Sequence, residues 1–128
     1  MRAAAALALA LALGASASAA AGPTRLSIAV YPKGVLAGTV RRYRLSCAPA
    51  AGTVPDPGRA CTVLARLAKP FAPVPPDEIC SQIALGPQEA IVSGTVAGAR
   101  VYAHLRLTDG CQIERWRRVA AVVPGFPS

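Results

Sequence analysis

The chain has 128 residues, with 14 Lys and Arg against 6 Asp and Glu, a net charge of +8 and a single histidine. So few acids, bases and nucleophiles leave little material for an active site. The length suits one domain with one core, whose burial is modest enough at this size for covalent support to matter.

The N-terminus carries Arg2, an Ala/Leu run from Ala3 to Leu13, and small residues from Gly14 to Ala21. A positive start, a short apolar stretch and Ala-x-Ala sites predict a secretory signal over residues 1–21, cleaved after Ala17, Ala19 or Ala21. The apolar stretch is shorter than the roughly 20 residues a membrane span needs, and nothing later is uninterruptedly apolar at that length, so no membrane association is expected. Residues 22–128 then form a secreted, extracellular domain. The hydrophobic fraction of 53% is inflated by the Ala/Leu run, and the remainder has ordinary soluble composition.

From Arg25 the pattern alternates, with Leu26, Ile28 and Val30 on one face of a strand that ends at the turn signal Pro32, Lys33, Gly34. A second strand is predicted over Val40 to Cys47, where basic and apolar residues alternate as on a sheet with one wet face. The Pro/Gly-rich stretch Ala48 to Gly58 reads as a loop. Asp56 and Pro57 are a helix start, a capping side chain followed by a ring already set at helical φ. The helix should run from Gly58 to Ala68 and stop at Pro70. Ala60, Val63, Leu64 and Leu67 make its buried stripe, and Arg59, Arg66 and Lys69 point outward.

Pro70, Pro73, Pro75 and Pro76 exclude regular core structure from the next segment, because proline lacks the ladder donor. The segment continues to Gly86 with Ile79, Ile83 and Leu85 scattered among polar residues. A surface loop with that much apolar side chain is a candidate binding loop. The competing reading tucks Ile79 and Ile83 beneath the loop. Strands Ala90 to Val96 and Arg100 to Thr108 follow, joined as a hairpin at Ala97 and Gly98. After a turn at Asp109 and Gly110, a short helical or irregular piece covers Gln112 to Arg118, and Val119 to Val123 is predicted as a last strand. Hairpin-connected strands without a βαβ rhythm define an α+β domain, an antiparallel sheet with one or two short helices.

Four cysteines, Cys47, Cys61, Cys80 and Cys111, predict two disulfides in an oxidising compartment. Three pairings are open. The sequential one closes the shortest loops, and on the chain-entropy model those loops contribute about 3 and 4 kcal/mol. Without a Cys-x-x-Cys pair, and with His104 alone, no metal site and no cofactor are expected. There is no Gly-x-Ser-x-Gly elbow and no phosphate loop, so the chain is not expected to be an enzyme. His104, alternating with apolar residues, reads as structural, and Trp116 as core. The arginines are scattered and Tyr31, Tyr43 and Tyr102 form no stacking platform, so no nucleic-acid partner is expected.

Six blocks in order carry a resemblance: RLSCAP (Arg44 to Pro49), GTVP (Gly52 to Pro55), ACTVL (Ala60 to Leu64), CSQIALGP (Cys80 to Pro87), GTVAGARV (Gly94 to Val101) and DGCQIERW (Asp109 to Trp116). With the cysteine spacing, they make the chain resemble the Streptomyces subtilisin inhibitor family from about Leu26 to Pro124. The resemblance implies a five-stranded antiparallel sheet with two short helices, two disulfides paired sequentially, and a homodimer. It also implies a reactive bond on the loop of the third cysteine, between Gln82 and Ile83, with Ile79, Cys80 and Ser81 in the protease's upstream subsites and Ala84 on the leaving side. The chain departs from the family pattern in one extra residue between Ile83 and Pro87, in Val54 where a histidine is common, and in Val96 where a tryptophan is frequent. Gln82 has no positive charge for a trypsin-like pocket, and Ile79 suits an apolar subsite, so a subtilisin-like serine protease is the expected partner. The alternative is a secreted, non-inhibitory binding protein on the same scaffold, engaging an acidic polymer or surface through its arginines.

Overall fold

A computed structural model of the chain describes residues 3–5 and 22–128. Apart from residues 3–5, the segment expected to be a secretory signal lies outside the described residues. Five antiparallel strands form one sheet in the order β3-β2-β1-β4-β5. The central strand β1 (Arg25–Tyr31) buries Leu26, Ile28 and Val30, the alternation its sequence shows. It pairs on one side with β2 (Arg41–Ser46) and on the other with β4 (Glu89–Val96), which runs through a tight turn into β5 (Ala99–Leu105). Where β1 ends, Gly34 closes the turn by donating to the Tyr31 carbonyl at 3.1 Å, and a single 3-10 turn at Val35–Ala37 leads toward β2.

The segment between Ala48 and Gly58 is not wholly loop. Ala51–Gly52 forms the two-residue edge strand β3, with Leu45 opposite Gly52 and Ser46 opposite Ala51. Thr53 reinforces it: its amide donates to the Arg44 carbonyl at 2.8 Å, and its hydroxyl accepts the Arg44 amide at 2.9 Å. Gly52 is required here. Its φ is 135°, and a Cβ would run into the Arg44 carbonyl oxygen.

The expected strand Val119–Val123 is not one, and the sheet reaches five strands through β3 instead. The segment turns back on itself, with the amides of Val122 and Val123 donating to the Val119 carbonyl at 2.8 and 2.9 Å. The Trp116 indole N–H then caps the Val123 carbonyl at 3.0 Å. The buried positions Val119, Val122 and Val123 do not alternate, and the half-buried Ala120 and Ala121 between them are apolar too, so the run shows no period of two.

Helix α1 (Pro57–Arg66) starts as its sequence dictates, the Asp56 carboxylate accepting the Arg59 amide at 3.1 Å. It ends at Leu67, slightly before the expected Ala68. Helix α2 (Gly110–Arg118) occupies the stretch read as helical or irregular and is capped in the same way, Asp109 accepting from the Gln112 amide at 2.9 Å.

Ala60 and Leu64 of α1, Trp116 of α2, Phe71 and the three valines join the inner face of the sheet in one core. Each fully buried Val, Leu or Ile there is worth about 1.5–3 kcal/mol of transfer free energy. Cys47 bonds Cys61 and Cys80 bonds Cys111, the sequential pairing, with Cα separations of 5.8 and 5.4 Å. The first bridge ties the end of β2 to α1, and the second ties the long irregular segment to α2. The opposite face of the sheet is open: Arg25, Ser27, Arg42, Arg44, Ser93, Arg100 and Tyr102 are exposed on it.

Candidate functional site

Between α1 and β4 the chain has no helix or strand from Leu67 to Gln88. Five prolines, Pro70, Pro73, Pro75, Pro76 and Pro87, keep this segment out of the sheet, and what fixes it comes from elsewhere in sequence. At its first limb Arg115 of α2 donates from Nε to the Ala72 carbonyl at 2.9 Å and from Nη2 to the Phe71 carbonyl at 3.0 Å. Its Nη1 donates to the His104 carbonyl of β5 at 3.2 Å, so one guanidinium ties loop, helix and sheet together. Taking this cation out of water lowers the Arg115 pKa, and the nearby charge of Arg118 lowers it further.

At the middle of the segment the Cys80–Cys111 bridge holds the chain to the first turn of α2. The next residue is held as well, the Ser81 carbonyl accepting the Gly110 amide at 2.9 Å. That amide is one of the N-terminal donors a helix leaves unpaired, so the loop satisfies the helix while the helix positions the loop. Gly110 lets them approach this closely: a Cβ there would collide with the Ser81 hydroxyl. On the far side the Leu85 amide donates to the Leu107 carbonyl at 2.8 Å. Gln82, Ile83 and Ala84 thus span two fixed points, and all three are exposed.

The six residues singled out by sequence therefore lie on one surface segment. Ile79 is 97% exposed and Ile83 71% exposed, so neither tucks beneath the loop. Cys80 is partly buried by its bridge, Ser81 faces α2, and Ala84 is exposed. The Gln82 side chain folds back, its amide donating to the Cys80 carbonyl at 3.1 Å. No residue from Ile79 to Leu85 has a positive φ, so the segment makes no left-handed turn.

The anchors Arg115, Gly110 and Leu107 were not identified from sequence. One signal was available. Arg115 stands four residues after Cys111 on α2, and that spacing puts both on one helix face, the face that receives the loop. Leu85 to Leu107 is a single backbone contact, for which no side-chain pattern exists.

His104, read as structural, bonds through Nε2 to Glu89 Oε1 at 2.8 Å while Arg106 approaches its Nδ1 at 3.0 Å. With a proton on Nε2 the ring donates to Glu89, and Nδ1 can accept from Arg106. The other carboxylate oxygen of Glu89 accepts the Val35 amide at 2.7 Å. That backbone bond is the main cause lowering the Glu89 pKa; burial opposes it, and the contacts from His104 and Arg106 add to it. Each of these groups is engaged structurally, away from the exposed loop.

Fold and loop together define a small, disulfide-stapled α+β domain that presents a tethered apolar segment to solvent. No protein-family model matches the chain, and no curated protein matches it. Among solved structures, it is similar to a chain in the crystal structure of Streptomyces caespitosus sermetstatin in complex with Bacillus licheniformis subtilisin. The TM-score is 0.51 at 26% sequence identity, and the match covers 80% of this chain and 99% of that one. The similar fold is thus one seen in a complex with a subtilisin. Among the described residues no helix is long and apolar enough to cross a membrane.

Proposed function

We propose that this protein is a secreted inhibitor of a subtilisin-like serine protease, acting through residues 79–84 with Gln82–Ile83 as the bond offered to the enzyme. The observation that carries this reading is the exposure of Ile79 and Ile83, nearly complete for the first, on a segment tethered by a disulfide and backbone bonds on both sides of Gln82. Similarity to a chain from a subtilisin complex supports the choice of partner. Two disulfides and the signal-like N-terminus support secretion.

The mechanism follows from restraint. A protease cleft takes an extended backbone, and a loop whose ends are already tied avoids much of the ordering cost that a flexible substrate incurs on binding. Ile79 would fill an apolar upstream subsite and Gln82 the primary pocket. To enter that pocket, the Gln82 amide must leave the Cys80 carbonyl, which then becomes free to accept a bond from the enzyme. After attack, the new amine at Ile83 remains tethered through Leu85 to Leu107, and the acyl side through Cys80 to Cys111. Its high effective concentration lets resealing compete with hydrolysis. A homodimer fits this mechanism only through a surface that leaves residues 79–84 uncovered.

The test is a titration of oxidised protein against subtilisin and trypsin, with Gln82→Lys beside the parent. The parent should inhibit subtilisin and leave trypsin active, and the lysine variant should gain trypsin inhibition, because its ammonium pairs with the pocket carboxylate. An unchanged profile in the variant would show that another bond is used. A parent inactive against subtilisin at every ratio would favour the non-inhibitory scaffold.

A further inference from the structure

Restraint of the exposed loop is uneven about the Gln82–Ile83 bond. Upstream, Cys80 is bonded to Cys111 and the Ser81 carbonyl accepts the Gly110 amide. Downstream, among the described residues, the limb from Ile83 to Pro87 is joined to the body by one hydrogen bond, from the Leu85 amide to the Leu107 carbonyl at 2.8 Å. The Leu85 side chain is 46% exposed, so burial adds little to that tie. One bond fixes a point and leaves the limb free to pivot about it. Gln88 supplies a second point. It stands one residue before β4, where the pairing of Glu89 with Tyr31 fixes the backbone, and its side chain folds back against Gly86. A Cβ on Gly86 would overlap Gln88 Oε1 and lie 3.1 Å from Cδ, so this close approach depends on glycine. Gln88 Oε1 is enclosed there and accepts no hydrogen bond among the described residues. An unpaired acceptor opposes its own burial, so packing against the limb, not a bond to Oε1, keeps the amide in place.

We propose, resting on the inhibitory reading above, that Gln88 is a positioning residue for the leaving side of the reactive bond. It is a brace from the sheet to Gly86 that keeps the Ile83 nitrogen in line with the acyl group after cleavage. Cleavage breaks the bond from the Gln82 carbonyl carbon to the Ile83 nitrogen, leaves the acyl group on the protease's serine oxygen and places a proton on the nitrogen. Resealing reverses these changes, whereas hydrolysis puts a water where the amine stood. The partition between the two depends on alignment, because the effective concentration of a tethered amine falls steeply with small displacements. A limb that pivots about Leu85 swings Ile83 away from the acyl carbon, and the brace at Gly86 blocks that pivot. Gln88 thus acts through Gly86 and not on the reacting atoms. Its effect falls on how long the bound inhibitor survives, not on how well the upstream residues 79–82 enter the cleft.

The test mixes the oxidised parent and its variants with subtilisin and reads two quantities, inhibition at first contact and, by mass spectrometry, the rate of cleavage after Gln82. Gln88→Ala should raise turnover of the bound inhibitor by at least about tenfold while changing initial inhibition by less than about twofold. Gly86→Ala keeps the glutamine but pushes its amide off the limb, so it should raise turnover likewise. The double variant should be no worse than the worse single, because both substitutions remove one contact. Gln88→Met keeps the length without the unpaired oxygen and should return turnover to that of the parent. Variants cleaved at the parent's rate would overturn the proposal, as would additive effects in the double variant or a methionine variant that behaves like the alanine one. So would a gain in turnover confined to variants with a lowered urea midpoint, since a loosened fold would then explain it. A parent that does not inhibit subtilisin, or is cut elsewhere, removes the inhibitory reading and this inference with it. A parent that inhibits and is cut after Gln82, beside variants that match it, removes the brace alone.

Discussion

Two stretches of this chain are rich in apolar residues and lack helix or strand, yet they sit in opposite surroundings. In the segment 79–85, Ile79 and Ile83 stand in solvent. In the segment 119–123, Val119, Val122 and Val123 are wholly buried beneath the Trp116 indole. Both are irregular, and both are fixed by bonds from other elements. The difference is what the side chains meet. The valines complete the core and hold the domain together, whereas the isoleucines contribute nothing to that core and are available to a partner. Apolar residues in loops are therefore not equivalent, and the contrast can be attacked by mutation from either side.

The largest effect should come from the buried side. Trp116→Ala removes a fully buried ring and leaves the Val123 carbonyl without its donor, and should cost about 3–5 kcal/mol in urea-induced unfolding. Ile83→Ala, in the exposed stretch, should shift the same measurement by less than about 0.5 kcal/mol while weakening subtilisin inhibition. A large stability loss from Ile83→Ala would erase the contrast.

Next in size is the tether. Cys80→Ser with Cys111→Ser opens a loop with a sequence separation of 31 residues, and the chain-entropy relation gives about 4 kcal/mol. The variant should also pass from inhibitor to substrate, with cleavage after Gln82 followed by mass spectrometry. An intact variant that inhibits as before would show that the backbone bonds at Ser81 and Leu85 suffice.

The smallest effect concerns Glu89, in neither stretch, and serves as a control. Its pKa is lowered in the folded protein, chiefly by the Val35 amide, so its contribution to stability is present above the ordinary carboxylate range. That contribution is lost as pH falls through the lowered folded value. Glu89→Gln should therefore flatten the acid limb of the stability curve below about pH 4.5 and leave protease inhibition unchanged. An unaltered acid limb would place the acid sensitivity in other carboxylates.

What could be read from sequence follows the same division. β1 was legible because Leu26, Ile28 and Val30 alternate against a wet face, and α1 because Asp56 and Pro57 mark its start in chemistry local to the chain. β3 was not, since two residues cannot show a period and Ala51–Gly52 is a strand only by virtue of its pairing with β2. Val119–Val123 misled because a short, uniformly apolar run reads the same in a buried strand and in a folded-back turn. In the candidate site, the exposed loop could be inferred from its prolines. Its anchors at Gly110 and Leu107 could not, because each is a backbone contact brought together by the fold, and Arg115 left only its spacing from Cys111 as a signal.

Trp116 is the chain's one tryptophan, wholly enclosed and hydrogen-bonded to Val123. Its fluorescence is consequently a private channel onto the interior. Loss of the core would move the emission to longer wavelength, while a cut between Gln82 and Ile83 would leave the spectrum where it was. A single cuvette containing inhibitor and a tryptophan-free protease could then separate damage to the scaffold from events at the loop, in real time and without labels.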